Sequence, residues 1–112
     1  MTMDLAASKE LNVAYKSTKQ KIWKRVNEEL IKPGKPKVIN VSKIEKLVPE
    51  GSTIIFVGKV LGGGTINKKI TVGALGFSAS GREKINNAGG EAMLLVDFVK
   101  KHKNKGGIII VK

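Results

Sequence analysis

Residues 41–60 read VSKIEKLVPEGSTIIFVGKV. The order within them is a helix, a turn and an apolar strand, and the same order returns twice. It recurs in SGREKINNAGGEAMLLV (80–96) and in VDFVKKHKNKGGIIIV (96–111). Three helix–glycine–strand units of similar length indicate one supersecondary unit used three times. The fold class expected is α/β, a compact stack of three strand-and-helix units over residues 38–112. Residues 1–37 precede it as a basic N-terminal helical arm and connector.

Local chemistry places the element ends. Ser42 with Glu45, and Ser80 with Glu83, each have the spacing of a capping box, in which side chains satisfy unpaired backbone donors. Gly51, the pair Gly89–Gly90 and the pair Gly106–Gly107 follow the helices, where a permissive backbone eases the exit. The strands STIIFVGKV and KKITVGALGF flank Gly62, Gly63 and Gly64, which predicts a hairpin across the triple glycine. MLLV and GIIIV are almost wholly apolar and imply burial on both faces, as in a sheet covered by helices.

Upstream, Ile22, Trp23, Val26 and Leu30 form one apolar stripe at helical spacing, with Trp23 read as core. Leu11, Ala14 and Tyr15 suggest a separate preceding helix, and Ser17 or Thr18 is a candidate cap for the next one. Pro33 ends the second helix, and PGKPK is a basic connector.

At 112 residues with 41% hydrophobic content and few aromatic rings, the chain supports one modest aliphatic core. It has no cysteine, so thiolate metal sites and disulfides are excluded. His102, the only histidine, sits in a lysine-rich helix end and reads as a solvated residue rather than a metal ligand. The start MTMDLAASKELN lacks the features of a secretory signal, and no apolar run approaches bilayer length, so a soluble intracellular protein is expected.

Charge is the strongest bulk signal. Twenty-one Lys and Arg against nine Asp and Glu give +12, and such an excess calls for a polyanion. Only Arg25 and Arg82 are arginines. Lysine suits phosphate, whereas base reading leans on the arginine fork. Between Lys16 and Arg25 lie Lys16, Lys19, Lys21, Lys24 and Arg25 without an acid.

The glycine loop GKVLGGGTINKK (58–69) tests the enzymatic alternative. Gly58 and Gly63 have phosphate-loop spacing, but Gly64 stands where that motif needs lysine, and the following segment reads as strand rather than helix. No dinucleotide fingerprint, catalytic constellation or metal-ligand spacing is present. Two readings of the triple glycine remain open: a flexible connection, or side-chain-free backbone that a phosphate chain approaches, with Lys59, Lys68 and Lys69 around it.

VGKVLGGGTINKKITVGALGFS with REKINNAGGE behind it resembles the large-subunit ribosomal proteins of the L-eighteen-e family, distantly related to bacterial L-fifteen. The shared pattern falls on Gly58 to Gly62, Gly64, Lys68–Lys69, Thr71–Val72, Phe77–Ser78, Lys84–Ile85 and Gly89 to Glu91. Upstream, Trp23, Leu30, Pro33, Asn40, Ser42, Lys43 and Ile44 also match. The compact chain is similar to the archaeal version. What the resemblance implies is a non-catalytic constituent of the large ribosomal subunit, in the cytoplasm, bound to large-subunit rRNA beside neighbouring ribosomal proteins. It implies no cofactor, membrane or small-molecule substrate.

The residues expected at RNA are Lys16, Lys19, Lys21, Lys24 and Arg25 on the arm, Lys35 and Lys37 in the connector, and Lys43 at the start of the core. To these are added Lys59, Gly62, Gly63, Gly64, Lys68 and Lys69 around the glycine loop, and Arg82 and Lys84 behind it. The rival readings are a chromatin-like DNA-binding protein and a small phosphate-binding enzyme.

Overall fold

The computed structural model describes residues 5–32 and 37–111. In chain order they form α1 (Leu5–Thr18), α2 (Lys21–Ile31), β1 (Val38–Asn40), α3 (Val41–Leu47), β2 (Thr53–Leu61), β3 (Thr71–Phe77), α4 (Ala79–Asn87), β4 (Glu91–Leu94), α5 (Leu95–His102) and β5 (Ile109–Val111). All five strands lie parallel in one sheet. The order runs β1-β2-β3-β4, and β5 shares the β1 side of β2. β5 pairs along Ile54–Phe56 and β1 along Lys59–Leu61, so two three-residue strands from distant parts of the chain complete one edge.

Helices cover both faces of this sheet. Successive side chains of a strand point to opposite faces, and β2 divides its residues accordingly. Ile54, Phe56 and Val60 join Val41, Ile44 and Val48 of the α3 region, and Ile85 of α4, in one core cluster. Ile55 joins Leu11 and Ala14 of α1, Trp23, Val26 and Leu30 of α2, and Leu95, Phe98 and Val99 of α5 in the other. The apolar stripe of α2 thus faces inward as its spacing required. Trp23 is fully buried and its Nε1 donates to Lys103 O at 2.9 Å, tying α2 to the segment after α5.

β2 and β3 are parallel, so the expected hairpin across the triple glycine does not form. The connector, residues 62–70, instead runs back along α3 to start β3 level with the start of β2. It is a packed segment: Ile66 and Ile70 are buried in the core, Asn67 N donates to Glu45 Oε1 at 2.6 Å, and Gly51 N donates to Lys69 O at 2.8 Å. A tight hairpin would have left both isoleucines in water, at a cost of roughly 1.5–3 kcal/mol each.

Other end effects also differ from expectation. β4 and β5 are edge strands with Leu94 and Ile109 about two-fifths exposed (41% and 39%), so their apolar sequences do not mean burial on both faces. Residues 95 and 96 of MLLV already belong to α5. Neither capping box forms. α3 starts after Asn40 without a side-chain cap, and Glu45 is held by the connector. α4 is capped earlier than expected, by Ser78 accepting from Gly81 N at 3.0 Å. Ser17 and Thr18 bond back to Ala14 O and finish α1, while α2 begins after Gln20 without a side-chain cap. Pro33 lies outside the described residues, but α2 does stop two positions before it, with Lys32 extended as a residue preceding proline must be.

The glycines at the exit of α4 behave as expected. Gly90 N donates to Ile85 O and Gly89 N to Asn86 O, both at 3.0 Å, with Gly89 at φ +87°. That is the two-bond helix exit that satisfies the last carbonyls and requires a left-handed residue.

Candidate nucleic-acid interface

In a parallel sheet the strands end together, and the loops and helix starts beyond them collect on one rim. Here Asn40 ends β1, the glycine loop follows β2, and Ser78 follows β3. Gly63 N donates to the Asn40 side-chain oxygen at 3.1 Å, and Ser42 N donates to Gly63 O at 3.3 Å. Lys84, from the last turn of α4, donates to Gly62 O and Gly64 O, both at 2.6 Å. The loop is therefore fastened between α3 and α4.

That fastening explains three successive glycines. A Cβ on Gly62 would collide with the Ser80 side chain, one on Gly63 with the Asn40 amide, and one on Gly64 with the Ser42 side chain. Gly64 also has φ +78°, a conformation disfavoured for residues with a side chain. The triple glycine is thus a close-packed junction rather than a flexible link, and Gly63 and Gly64 remain exposed at its crest.

The cations expected at RNA fall into distinct settings. Lys16, Lys19, Lys21, Lys24 and Arg25 occupy the end of α1, the turn and the start of α2. All five are exposed, and none has an ion-pair partner among the described residues. Lys19 makes the turn between the helices at φ 61°. Lys21 and Arg25 line an open groove of about 780 Å³ between α2 and residues 105–110, together with Lys105. Glu28 and Glu29 share that groove, and Glu29 pairs with Lys32 and Lys37.

On the sheet side, Lys43 is exposed in the first turn of α3 and Lys59 near the end of β2, where a register shift after Phe56 marks a bulge. Arg82 is exposed, with its guanidinium 5.5 Å from the centre of the Phe77 ring. Lys69 is exposed beside Gly89. Lys35 lies outside the described residues.

Lys68 and Lys84 are different. Lys68 Nζ donates to Glu45 O at 2.7 Å and to Val48 O at 3.2 Å, holding the end of α3. Lys84 holds the loop. An ammonium has three N–H donors, so each of these lysines has one left. Nothing in the pattern of charges distinguishes them from their exposed neighbours, because their role depends on carbonyls brought near by the fold.

Other residues that shape the rim gave weaker sequence signals. Asn40 holds the glycine loop, and its position between an apolar pair and a helix is the only hint. Thr65, Asn67 and Asn87 share a groove of about 460 Å³ with Lys84, and no charge marks them out.

His102 ends α5 as expected, but it is not simply solvated. Its ring lies 4.9 Å from that of Phe98, and its Nε2 is buried without a hydrogen-bond partner among the described residues. Burial, then Lys101 and Lys105, push its pKa below the usual 6.5, against a smaller opposing pull from Glu91. Among the described residues no cluster of three metal-ligating side chains occurs, and no helix is long and apolar enough to cross a membrane.

Residues 19–93 match a family model described as ribosomal proteins, namely 50S-L15, 50S-L18e and the 60S protein L-twenty-seven-A. The chain is similar to large ribosomal subunit protein eL18 of Pyrobaculum aerophilum, with 36% identity over 102 residues, covering 90% of this chain and 84% of that protein. It is also similar to eL18 of Archaeoglobus fulgidus, at 40% over 88 residues, covering 78% and 75%. For eL18 of Sulfurisphaera tokodaii the figures are 38% over 95 residues, 84% and 80%.

Proposed function

The chain belongs to the ribosomal protein family that spans 50S-L15, 50S-L18e and 60S L-twenty-seven-A, and from that membership we propose that it binds folded rRNA in the large subunit through phosphate contacts. Members of this family are structural constituents of the ribosome and not enzymes. Its partners are large-subunit rRNA and adjoining ribosomal proteins, in the cytoplasm.

One observation carries the RNA reading. The five cations from Lys16 to Arg25 stand exposed on one helical turn-and-start, without a single acidic partner among the described residues. Protein surfaces of mixed function interleave signs, whereas a run of like charge awaits a polyanion. Lys43, Lys59, Lys69 and Arg82 add exposed charge on the sheet side, and the exposed crest of Gly63 and Gly64 offers a sugar–phosphate chain backbone with no side chain of its own in the way. Lysine-rich contacts of this kind position folded RNA by its backbone rather than reading base edges. Lys68 and Lys84 hold that surface in shape, each through two backbone carbonyls, and each keeps one N–H to offer.

Binding to fragments of the organism's large-subunit rRNA, measured across a salt series, tests this. About six phosphate contacts give a log–log slope near −5. A slope of about −1 to −2, or equal affinity for duplex DNA of the same length, refutes the reading in favour of a weak or chromatin-like binder.

A further inference from the structure

The groove between α2 and residues 105–110 has two carboxylates, Glu28 and Glu29, in its wall. A second groove, of about 460 Å³, has none among the described residues: it is lined by Thr65, Ile66, Asn67, Lys84, Asn87 and Ala88. It runs between the connector just past the glycine crest and the end of α4. Two features make it unlike ordinary solvated surface. First, Lys84 is held in place by Gly62 O and Gly64 O, so its charge is fixed at the groove with one N–H unassigned. Second, the side chains of Thr65, Asn67 and Asn87 have no hydrogen-bond partner among the described residues, although the Asn67 backbone N–H is tied to Glu45. A fixed cation therefore stands beside two primary amides and a hydroxyl, over an apolar patch supplied by Ile66 and Ala88.

From this juxtaposition we infer that the groove is a ribonucleotide subsite, in which Lys84 meets a phosphate and Asn67 and Asn87 meet the 2′-hydroxyl of the same unit. The inference rests on the RNA-binding reading above and adds to it a site that distinguishes RNA from DNA. The chemistry fits in each part. A 2′-hydroxyl both donates and accepts, and it is what lets a protein tell the two nucleic acids apart. A primary amide offers both functions as well, whereas lysine only donates. With no carboxylate among the described lining residues, the repulsion that Glu28 and Glu29 impose in the groove beside α2 does not arise here. A volume of this size lies within the range of sites that take small organic groups. Sugar and phosphate are common to all nucleotides, so the subsite recognises the class of polymer and not a base.

The test is interference mapping with large-subunit rRNA transcripts carrying a 2′-deoxy substitution at random positions, selected for binding to the full chain. Wild type, an Asn67→Ala/Asn87→Ala double variant and Asn87→Asp are compared. Both asparagines are exposed, and equal thermal midpoints establish that the variants fold. In wild type, deoxy substitution at one nucleotide weakens binding by about fivefold, the effect of one ordinary hydrogen bond. In the double variant that signal disappears while the salt slope stays unchanged, because no charge was removed. Asn87→Asp loses the signal and also binds more weakly throughout, through repulsion of the phosphate. Identical interference profiles in wild type and variants overturn the subsite and leave general rRNA binding standing. Failure of wild type to bind the transcripts at all overturns both.

Discussion

Replacing Lys68 by methionine separates a lysine that holds the fold from one that holds RNA. The substitution keeps the aliphatic stem and removes an ammonium that donates to Glu45 O at 2.7 Å and Val48 O at 3.2 Å. Hydrogen bonds from a charged donor contribute roughly 1.5–3 kcal/mol each where water is excluded. Both of these are only part-buried, and water replaces some of what is lost, so the expected total is about 1–2 kcal/mol. At about 2.1 cal/mol/K of unfolding entropy per residue, a chain of 112 residues shifts by roughly 4 °C per kcal/mol. The thermal midpoint should therefore fall by about 4–8 °C. Lys46→Met, on an exposed neighbour in α3 whose side chain has no hydrogen bond among the described residues, should leave it unchanged. In the same preparations the salt slope for rRNA binding should be the same for Lys68→Met and wild type. A slope reduced by about one contact with an unchanged midpoint would show that Lys68 meets phosphate and that its backbone bonds are dispensable.

Changing Lys21, Lys24 and Arg25 together to glutamine should do the opposite, flattening the slope by about 2 units without a stability loss, as read by salt-series binding and thermal melts. Gly90→Ala places a Cβ against Ile70 O, a backbone atom that cannot swing aside, and should cost about 2–3 kcal/mol in chemical denaturation. For His102 the sign follows from its lowered pKa. The unfolded chain takes up the proton first, so stability is full above the usual 6.5 and declines as pH falls towards the folded-state value. Denaturant midpoints at pH 7.5 and 5.5 should differ in wild type, and His102→Phe should narrow that difference.

Much of the architecture could be read from periodicity because burial repeats with the backbone. The stripe Ile22, Trp23, Val26 and Leu30 could only face a core, and the run Thr53–Phe56 is buried in a central strand with helices on both sides. The parallel pairing of β2 and β3 was harder to see. Parallel neighbours usually need a helical crossover of a dozen or more residues, and a triple glycine between two strands looks like a turn. Ile66 and Ile70 held the contrary signal, since a connector with two buried residues is packed and not a loop tip. The cap positions shifted because Glu45 serves the connector and Ser78 lies at the strand end, both consequences of tertiary placement.

The candidate interface was legible in a similar, partial way. Charge imbalance singled out Lys16 to Arg25, which the fold leaves exposed and without ion pairs among the described residues. The glycine loop was visible as a special backbone, but its cause was not. Three side chains from different elements, those of Asn40, Ser42 and Ser80, approach it closely, and their sequence positions give no sign of meeting there. Lys84 and Lys68 look like their neighbours in sequence and differ only in which carbonyls the fold sets beside them. Asn67 and Asn87 carry no charge, so a search for polyanion contacts passes over them.

Association with the large subunit is the claim on which all else depends, and sedimentation is its sharpest test. Tagged chain expressed in its own cells is fractionated on a sucrose gradient at moderate salt, and the large-subunit fractions are then washed with high salt. The expected result is that the protein travels with large subunits and crosslinks to their rRNA, and that each exposed charge removed between Lys16 and Arg25 lowers the salt needed to strip it off. Protein that remains at the top of the gradient, free of ribosomal particles, would contradict it.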